Sequence, residues 1–357
     1  MKLQASMNNT HITMNNKLLT HALSALLFVF PIHLIFIFLK NFLYDFGVLK
    51  GEKVDAKVIS VGNIALGGTG KTPTTIAIAN FLERNGYTVG IVTRGHGREN
   101  ISNSFLLKNQ SWKECGDEVI ILKNNTSSNT LIFVSLDKIY AANQLSNMGC
   151  NIVLLDDGFQ HRRIGRDIDI VLLGPENQNK KCQLIYPYGL LREPFCYLKR
   201  ADITISTKNN LIKNTGPISD YKMDLKIKEE VLSSSTIKNI HSLANKSGIV
   251  SVCSIGDPVS FSKTLERINI NVDRKLTFPD HWPFSFHDIE KINRLALKEN
   301  LNHIVCTEKD FVKLVEFKQD LKIDINAIVM KHEISKEIEK DILNRLLKIF
   351  TPLTLDM

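Results

Sequence analysis

The feature that most constrains the fold is an eight-residue run, Ala65-Leu-Gly-Gly-Thr-Gly-Lys71-Thr72, set between an apolar β-branched stretch and a helix-forming one. Residues 57–61 (KVISV) read as a strand, and Thr72–Arg84 reads as a helix. The glycine-rich segment between them has the form [AG]-x-x-x-x-G-K-[ST]. Such a loop cradles phosphate because its backbone N–H groups and the following helix N-terminus converge on the anion. Ala65, Leu66, Gly67, Gly68, Thr69 and Gly70 would form the cradle. Lys71 would neutralise the β- and γ-phosphates, and the Thr72 hydroxyl would face a divalent cation. The first position is Ala where Gly is usual.

A strand-loop-helix of this kind needs a parallel sheet around it, and further strand candidates supply one. They are Thr88–Thr93, Leu131–Val134, Ile152–Leu155, Asp169–Leu173 and Asp202–Ser206, with a helix expected over Asp137–Met148 between two of them. Alternation of this sort argues for a parallel sheet covered by helices. The polar stretch 207–217 (TKNNLIKNTGP) is the best linker candidate. Beyond it, strands are expected at Tyr221–Ile227, Ile249–Cys253, Val272–Phe278, His303–Cys306 and Ala327–Met330, with helices near Val259–Ile268, Phe286–Leu297 and Ile334–Ile349. The chain's 357 residues suit two domains. The expected organisation is an extension (1–17), a membrane-associated helix (18–44), a P-loop domain (45–208) and a smaller α/β domain (209–357) that closes the cleft.

The membrane assignment rests on Leu18–Leu39, which contains no Asp, Glu, Lys or Arg and is long enough to span the hydrocarbon core. Pro31 would kink such a helix, and His21, Ser24 and His33 are polar, so a partly inserted or interfacial helix competes with a span. A buried core helix and a cleavable signal peptide are further readings, the second weakened by the lack of a small-residue cleavage site. Flanking Lys17, Lys40, Lys50, Lys53 and Lys57 favour anionic headgroups and cytoplasmic retention. A net charge of +8 suits an anionic surface or a phosphorylated substrate, while scattered lysines on no recognisable module argue against nucleic acid. The six cysteines form no C-x-x-C pair and read as reduced core residues.

The chemistry-bearing residues beyond the loop fall into clusters. Strand Ile152–Leu155 ends in Asp156-Asp157-Gly-Phe-Gln-His161, which places two carboxylates at the carboxyl edge of a sheet, although such a pair can also merely cap a turn. Arg192 and Glu193 lie in a proline-punctuated loop, where phosphate and metal contacts compete with a solvated ion pair. Arg94, His96 and Arg98 sit on a glycine-rich loop suited to an anion. Asp117 and His281 can form an acid/base pair only if folding brings them together; otherwise Asp117 caps the helix that Glu118 begins.

Taken together, SVGNIALGGTGKTP (60–73), TRGHGR (93–98), GDE (116–118), DDGFQHRR (156–163), GLLREP (189–194), RADITISTK (200–208), FPDH (278–281) and TEKD (307–310) resemble, in order, the motifs of the tetraacyldisaccharide 4'-kinase family. The resemblance implies transfer of the ATP γ-phosphate to the 4'-hydroxyl of a tetraacyldisaccharide 1-phosphate, giving lipid IVA, with Mg2+ as cofactor. It implies a peripheral enzyme at the cytoplasmic face of a bacterial inner membrane, partnered by the lipid A precursor and membrane lipids and by no obligatory protein. By motif, Lys71 and Thr72 hold nucleotide and metal, Asp156, Asp157 and Glu193 are the metal-side acids, Asp117 is the base and His281 assists it. Arg94, His96, Arg98, His161 and Arg192 are candidate substrate contacts. Val119, His96 and Trp282 depart from the usual Pro, Tyr and His, which bears on substrate contacts. Met14 is a second candidate start. The competing reading is a membrane-tethered P-loop NTPase acting as a switch or assembly factor; no N-K-x-D-type guanine signal supports a GTPase. A third is a non-catalytic membrane adaptor with a relic loop.

Overall fold

The computed structural model describes residues 34–174, 184–208, 219–234 and 239–351. The described residues fall into two compact units, divided between Lys50 and Gly51. In the first, residues 34–45 form helix α1, with Ile35, Phe36, Leu39 and Phe42 largely exposed. The rest of the expected membrane-associated segment, residues 18–33, lies outside the described residues. No helix among the described residues is long and apolar enough to cross a membrane.

The second unit carries two sheets. In the first, eight strands run in the order β3-β4-β2-β5-β1-β6-β7-β8, with β1 Lys57–Asn63, β2 Val89–Thr93, β3 Phe105–Leu106, β4 Leu131–Val134, β5 Ile152–Asp156, β6 Ile168–Leu173, β7 Ile203–Thr207 and β8 Tyr221–Met223. Every pairing is parallel except β3 with β4. Strands β2, β5 and β6 are buried end to end, as both faces of a helix-covered parallel sheet must be. One core holds Ile59, Val61, Ile91, Leu154 and Ile170 against Ile78 and Leu82 of helix α2 (Lys71–Arg84). The opposite face packs on Ala141, Ala142 and Leu145 of helix α5 (Lys138–Asn147). Between these helices come two short ones, α3 (Trp112–Cys115) and α4 (Asp117–Asn125).

The second sheet has five strands in the order β11-β10-β12-β13-β9: β9 Leu225–Ser233, β10 Ile249–Cys253, β11 Arg274–Thr277, β12 His303–Thr307 and β13 Asp324–His332. Only β9 runs antiparallel to its neighbour. Helices α6 (Ile240–Ala244), α7 (Pro258–Arg267), α8 (Phe286–Glu299) and α9 (Glu308–Leu314) accompany it.

The single strand expected over Tyr221–Ile227 is instead two, and they serve different sheets. β8 extends the first sheet beside β7, whereas β9 pairs with β13 in the second. The last helix, α10 (Lys336–Phe350), also returns to the first sheet, burying Ile338, Ile342 and Leu346 in its core. Its apolar residues recur at i, i+4 and i+8, one stripe of an amphipathic helix, and the stripe finds its partner on the first sheet. The expected linker, residues 207–217, is described only at Thr207 and Lys208; the rest lies outside the described residues.

Candidate active site

A cleft of about 1210 Å³ runs between the two sheets, and both line it. On one wall are Leu66, Gly67, Gly68, Thr69, Gly70, Lys71 and Thr72 with Arg94, His96, Glu118, Asp156, Asp157 and Arg192; on the other are Asp257, Asp280, His281, Lys309 and His332. Parallel pairing of β1 with β5 sets Val61 opposite Asp156, so the loop leaving β1 and the acids ending β5 emerge side by side at the carboxyl edge.

The loop is held at fixed points. Asn63 donates from Nδ2 to Thr69 Oγ1 at 2.9 Å, and Thr207 Oγ1 donates to the Thr69 carbonyl at 2.9 Å. Gly70 sits at φ 84°, where a side chain is strained, and an added Cβ would stand 2.1 Å from Cε1 of His332. His332 itself is buried, with Nδ1 2.8 Å from Thr74 Oγ1. Thr74 already donates its hydroxyl hydrogen to the Gly70 carbonyl at 2.8 Å, so His332 donates from Nδ1 and its ring is neutral at Nε2. Burial, with Lys208 nearby, pulls its pKa to about 4. The phosphate loop is thus clasped by a residue of the second sheet.

Asp156 accepts from Thr93 Oγ1 at 3.2 Å and from Thr75 Oγ1 at 3.4 Å. Burial, together with Glu118 and Asp157, raises its carboxyl to about 6. Asp157 behaves oppositely: burial would raise it too, but Lys71 at 3.9 Å and Arg192, which meets both its oxygens at 2.8 Å, hold it down at about 2. Asp157 has φ 53°, an unusual value for a non-glycine residue. Its carbonyl and that of Asp156 accept from Nζ of Lys138, at 2.8 and 2.6 Å. Lys138 is fully buried, and burial lowers its ammonium to about 8.

Folding brings Asp117 and His281 together across 164 residues of chain. Nδ1 of His281 lies 2.9 Å from Oδ1 and 3.1 Å from Oδ2 of Asp117. Asp117 is 2% exposed and does not line the cleft, whereas His281 does. Burial would raise the Asp117 carboxyl; the His281 hydrogen bond and the charges of Lys309 and Lys313 outweigh it and hold the group below its usual range. Oδ1 also accepts from the Glu118 amide at 2.9 Å, but Asp117 is itself the first residue of α4 and Gly116 holds the cap position, so the capping role considered from sequence is not made. Helix α9 presses on α4 through a row of ties. Glu308 accepts from Asn125 at 2.6 Å, Lys309 reaches Glu118 at 3.2 Å and Lys313 lies 3.5 Å from Asp117. Lys313 is itself fully buried, 3.3 Å from Asp310 and 2.6 Å from Ser254 Oγ.

Five candidates are not brought to the cleft lining: Ala65, which leads into the loop, Asp117, and Glu193, Arg98 and His161. Glu193 is 3% exposed and paired at 2.6 Å with Arg200, whose guanidinium stacks over Phe159; the carboxylate offsets the charge of that buried cation. Arg98 turns inward, donating to the Ile101 carbonyl at 2.6 Å. His161 lies behind the acids, held by burial and by Lys138 at about 4. Conversely, Lys138, Lys208, His332, Lys309 and Lys313 carried no assigned role from sequence. Lysines read as solvated unless a partner is known, and partners such as Asp156 for Lys138 and Glu118 for Lys309 lie 18 and 191 residues away. Among the described residues no group of three His, Cys, Asp or Glu side chains stands close enough to hold a metal alone. Of the six cysteines, Cys115, Cys150, Cys253 and Cys306 are buried and free, Cys196 is exposed, and Cys182 lies outside the described residues.

The model of the family described as tetraacyldisaccharide-1-P 4'-kinase matches residues 23–348. The chain belongs to that family. It is 33% identical over 305 residues to the tetraacyldisaccharide 4'-kinase of Syntrophus aciditrophicus, covering 79% of this chain and 81% of that one. It is 33% identical over 336 residues to that of Halothermothrix orenii, covering 85% and 86%. A crystal structure of LpxK from Aquifex aeolicus in complex with ATP superposes with a TM-score of 0.70 at 27% identity, covering 90% of this chain and 98% of that one. The matched residues span both sheets and every motif from the phosphate loop to TEKD.

Proposed function

We infer that this chain is an ATP-dependent tetraacyldisaccharide 4'-kinase of lipid A biosynthesis, transferring the γ-phosphoryl group to the 4'-hydroxyl of a tetraacyldisaccharide 1-phosphate. The observation that carries the reading is the contact between Asp117 and His281, which sets His281 on one wall of a cleft whose other wall is a phosphate loop with Lys71. A hydrolytic switch needs no proton acceptor assembled from two halves of the chain, whereas a kinase for a sugar hydroxyl does.

Chemically, the loop amides and Lys71 would bind the β- and γ-phosphates, and Arg94 and Arg192 add positive charge on the same wall. The bond from the acceptor oxygen to phosphorus forms as the bond to the departing ADP breaks. The hydroxyl proton passes to the Asp117–His281 pair, with Asp117 as base and His281 orienting it, as motif correspondence suggests. Mg2+ would supply charge neutralisation between the phosphates. Thr72 and Asp156 fit it: both line the cleft, and a buried carboxyl raised to about 6 at Asp156 is short of positive charge, whereas Asp157 beside it is already met at both oxygens by Arg192. With so few protein donors the ion would share nucleotide oxygens and water, as magnesium commonly does. Glu193, held by Arg200, is left out of that set. We place the enzyme at the cytoplasmic face of a bacterial inner membrane; the support is the uncharged run Leu18–Leu39 and the exposed apolar side chains of α1.

The test is the fate of label. Purified protein given γ-labelled ATP and the disaccharide 1-phosphate should place label in lipid, and Lys71→Ala should abolish this while the protein stays folded. Label recovered only as free phosphate would favour the switch, and full activity in a folded Lys71→Ala variant would overturn the loop assignment.

A further inference from the structure

His281 has a second partner that the reaction as described does not use. Its Nε2 lies 2.9 Å from Nζ of Lys309, which also reaches Glu118 Oε1 at 3.2 Å and Asp280 Oδ1 at 3.2 Å. An ammonium has three hydrogens and no lone pair, so these three contacts use all of its donors, and the partner nitrogen can only accept. Burial would lower the Lys309 pKa, but Glu118, Asp117 and Asp280 more than compensate and raise it, so Lys309 is charged at neutral pH. If Nε2 accepts, Nδ1 carries the hydrogen, and that hydrogen points at the two Asp117 oxygens. The ring is held from its backbone as well: His281 sits at φ 58°, with its amide donating to the Ser254 carbonyl at 3.2 Å.

We propose that Lys309 is a positioning residue that locks His281 as the neutral Nδ1–H tautomer, leaving the Asp117 carboxylate as the one member of the pair able to take the acceptor's proton. The last clause rests on the kinase reading; the tautomer does not. A neutral histidine with a free Nε2 on the cleft would be an alternative proton acceptor, and protonated there it would become a cation paired to Asp117, weakening that carboxylate as a base. Lys309 closes this route by occupying the lone pair and by placing a like charge beside any imidazolium. The groups around the ring are Asp117 on α4, Lys309 on α9, Asp280, whose Oδ1 is 3.9 Å from Nε2, and His96, whose ring centroid is 4.3 Å away; Glu118 and Lys313 stand one contact further out, on Lys309 and Asp117. His96 has its own pKa lowered, first of all by burial. Of these, only Lys309 touches Nε2 with a donor. It also belongs to the row of ties between α9 and α4, so the tautomer is set by the same contacts that bring the two walls together.

The test uses the full chain labelled with 15N at histidine, with long-range proton–nitrogen correlation spectra recorded across the neutral range and His281→Gln used for assignment. Wild type should show Nδ1 protonated and Nε2 bare. In Lys309→Met the fraction of the ring carrying its hydrogen on Nε2 should rise, and Lys309→Arg, which restores a cationic donor, should return it toward wild type. In turnover, Lys309→Met should lower kcat by roughly tenfold with the KM for ATP nearly unchanged, and its kcat/KM profile should gain an inflection on the acid side that the Arg variant lacks. An Nε2–H tautomer in wild type, or the same tautomer populations in wild type and Lys309→Met, would overturn the proposal. The spectra need no turnover, so they fail only if the Lys309 inference fails; absence of lipid phosphorylation by wild type would instead count against the assigned activity.

Discussion

Replacing Asp117 by Asn should separate chemistry from stability, because the carboxylates around Lys313 are not equivalent. Lys313 is fully buried and lies 3.5 Å from Asp117, 3.3 Å from Asp310 and 2.6 Å from Ser254 Oγ. Without the Asp117 charge, Lys313 keeps Asp310 and Ser254, so its charge stays paired and the loss should be about 1 kcal/mol, that of one altered hydrogen bond. Asp310→Asn is the harsher change. Asp310 also takes the Thr307 hydroxyl at 2.8 Å and the Ser254 amide at 3.1 Å, and losing its charge leaves Lys313 with its weaker partner. Breaking a buried pair from one side costs about 3–5 kcal/mol. Activity should run the other way: Asp117→Asn loses the proton acceptor and should lower kcat by roughly 10²-fold or more, about 3 kcal/mol of barrier, with little change in the KM for ATP. Adding His281→Ala should cost less than the product of the single effects, since the two act as a unit. Thermal melts and single-turnover transfer from labelled ATP give both readouts. An Asp117→Asn enzyme that kept its kcat but melted below Asp310→Asn would show that Asp117 is structural.

Gly70→Ala should lose about 2–5 kcal/mol of stability or nucleotide affinity, from a strained φ of 84° plus a Cβ placed 2.1 Å from His332; a melt and an ATP titration equal to wild type would refute the clasp. His332, held at about 4 against an ordinary 6.5, binds its proton more readily in the unfolded chain, so its contribution is fully present above pH 6.5 and is lost as pH falls towards 4. Denaturant titrations should therefore show a shallower acid loss for His332→Gln than for wild type, by up to about 3 kcal/mol; equal slopes would contradict the assignment of a neutral buried ring. Deleting residues 1–40 should release the protein from membranes and lower activity on lipid while ATP binding persists; unchanged sedimentation with vesicles would refute the anchor.

How much of this was legible in the sequence depends on how local each signal is. Strand β5 is apolar until its final Asp156, and β1 and β6 are rich in Val, Ile and Leu with only Ser60 and Asp169 breaking their middles, because both faces are covered; such runs are visible without partners. Two-residue β3 carries no periodicity at all. The hand-over at Met223 and Leu225, where one stretch leaves the first sheet and enters the second, was invisible because Tyr221–Ile227 alternates like a single strand. The phosphate loop and the acids after β5 were readable from short motifs whose spacing is fixed by the strand-loop-helix itself. The lysines were not: Lys138 reads as the first residue of a solvated helix, yet its ammonium is buried under two carbonyls. Glu193 illustrates the reverse, a motif acid that burial has committed to Arg200. Only the fold could bring together Asp117, His281 and Lys309.

The most direct measurement is the position of the new phosphate. The product of unlabelled ATP and a tetraacyldisaccharide 1-phosphate, examined by phosphorus–proton correlation NMR, should show a second phosphomonoester coupled to the proton on the 4' carbon of the distal glucosamine, formed in step with ADP. A single unchanged monoester with inorganic phosphate accumulating, or a pyrophosphate built on the existing 1-phosphate, would contradict the account.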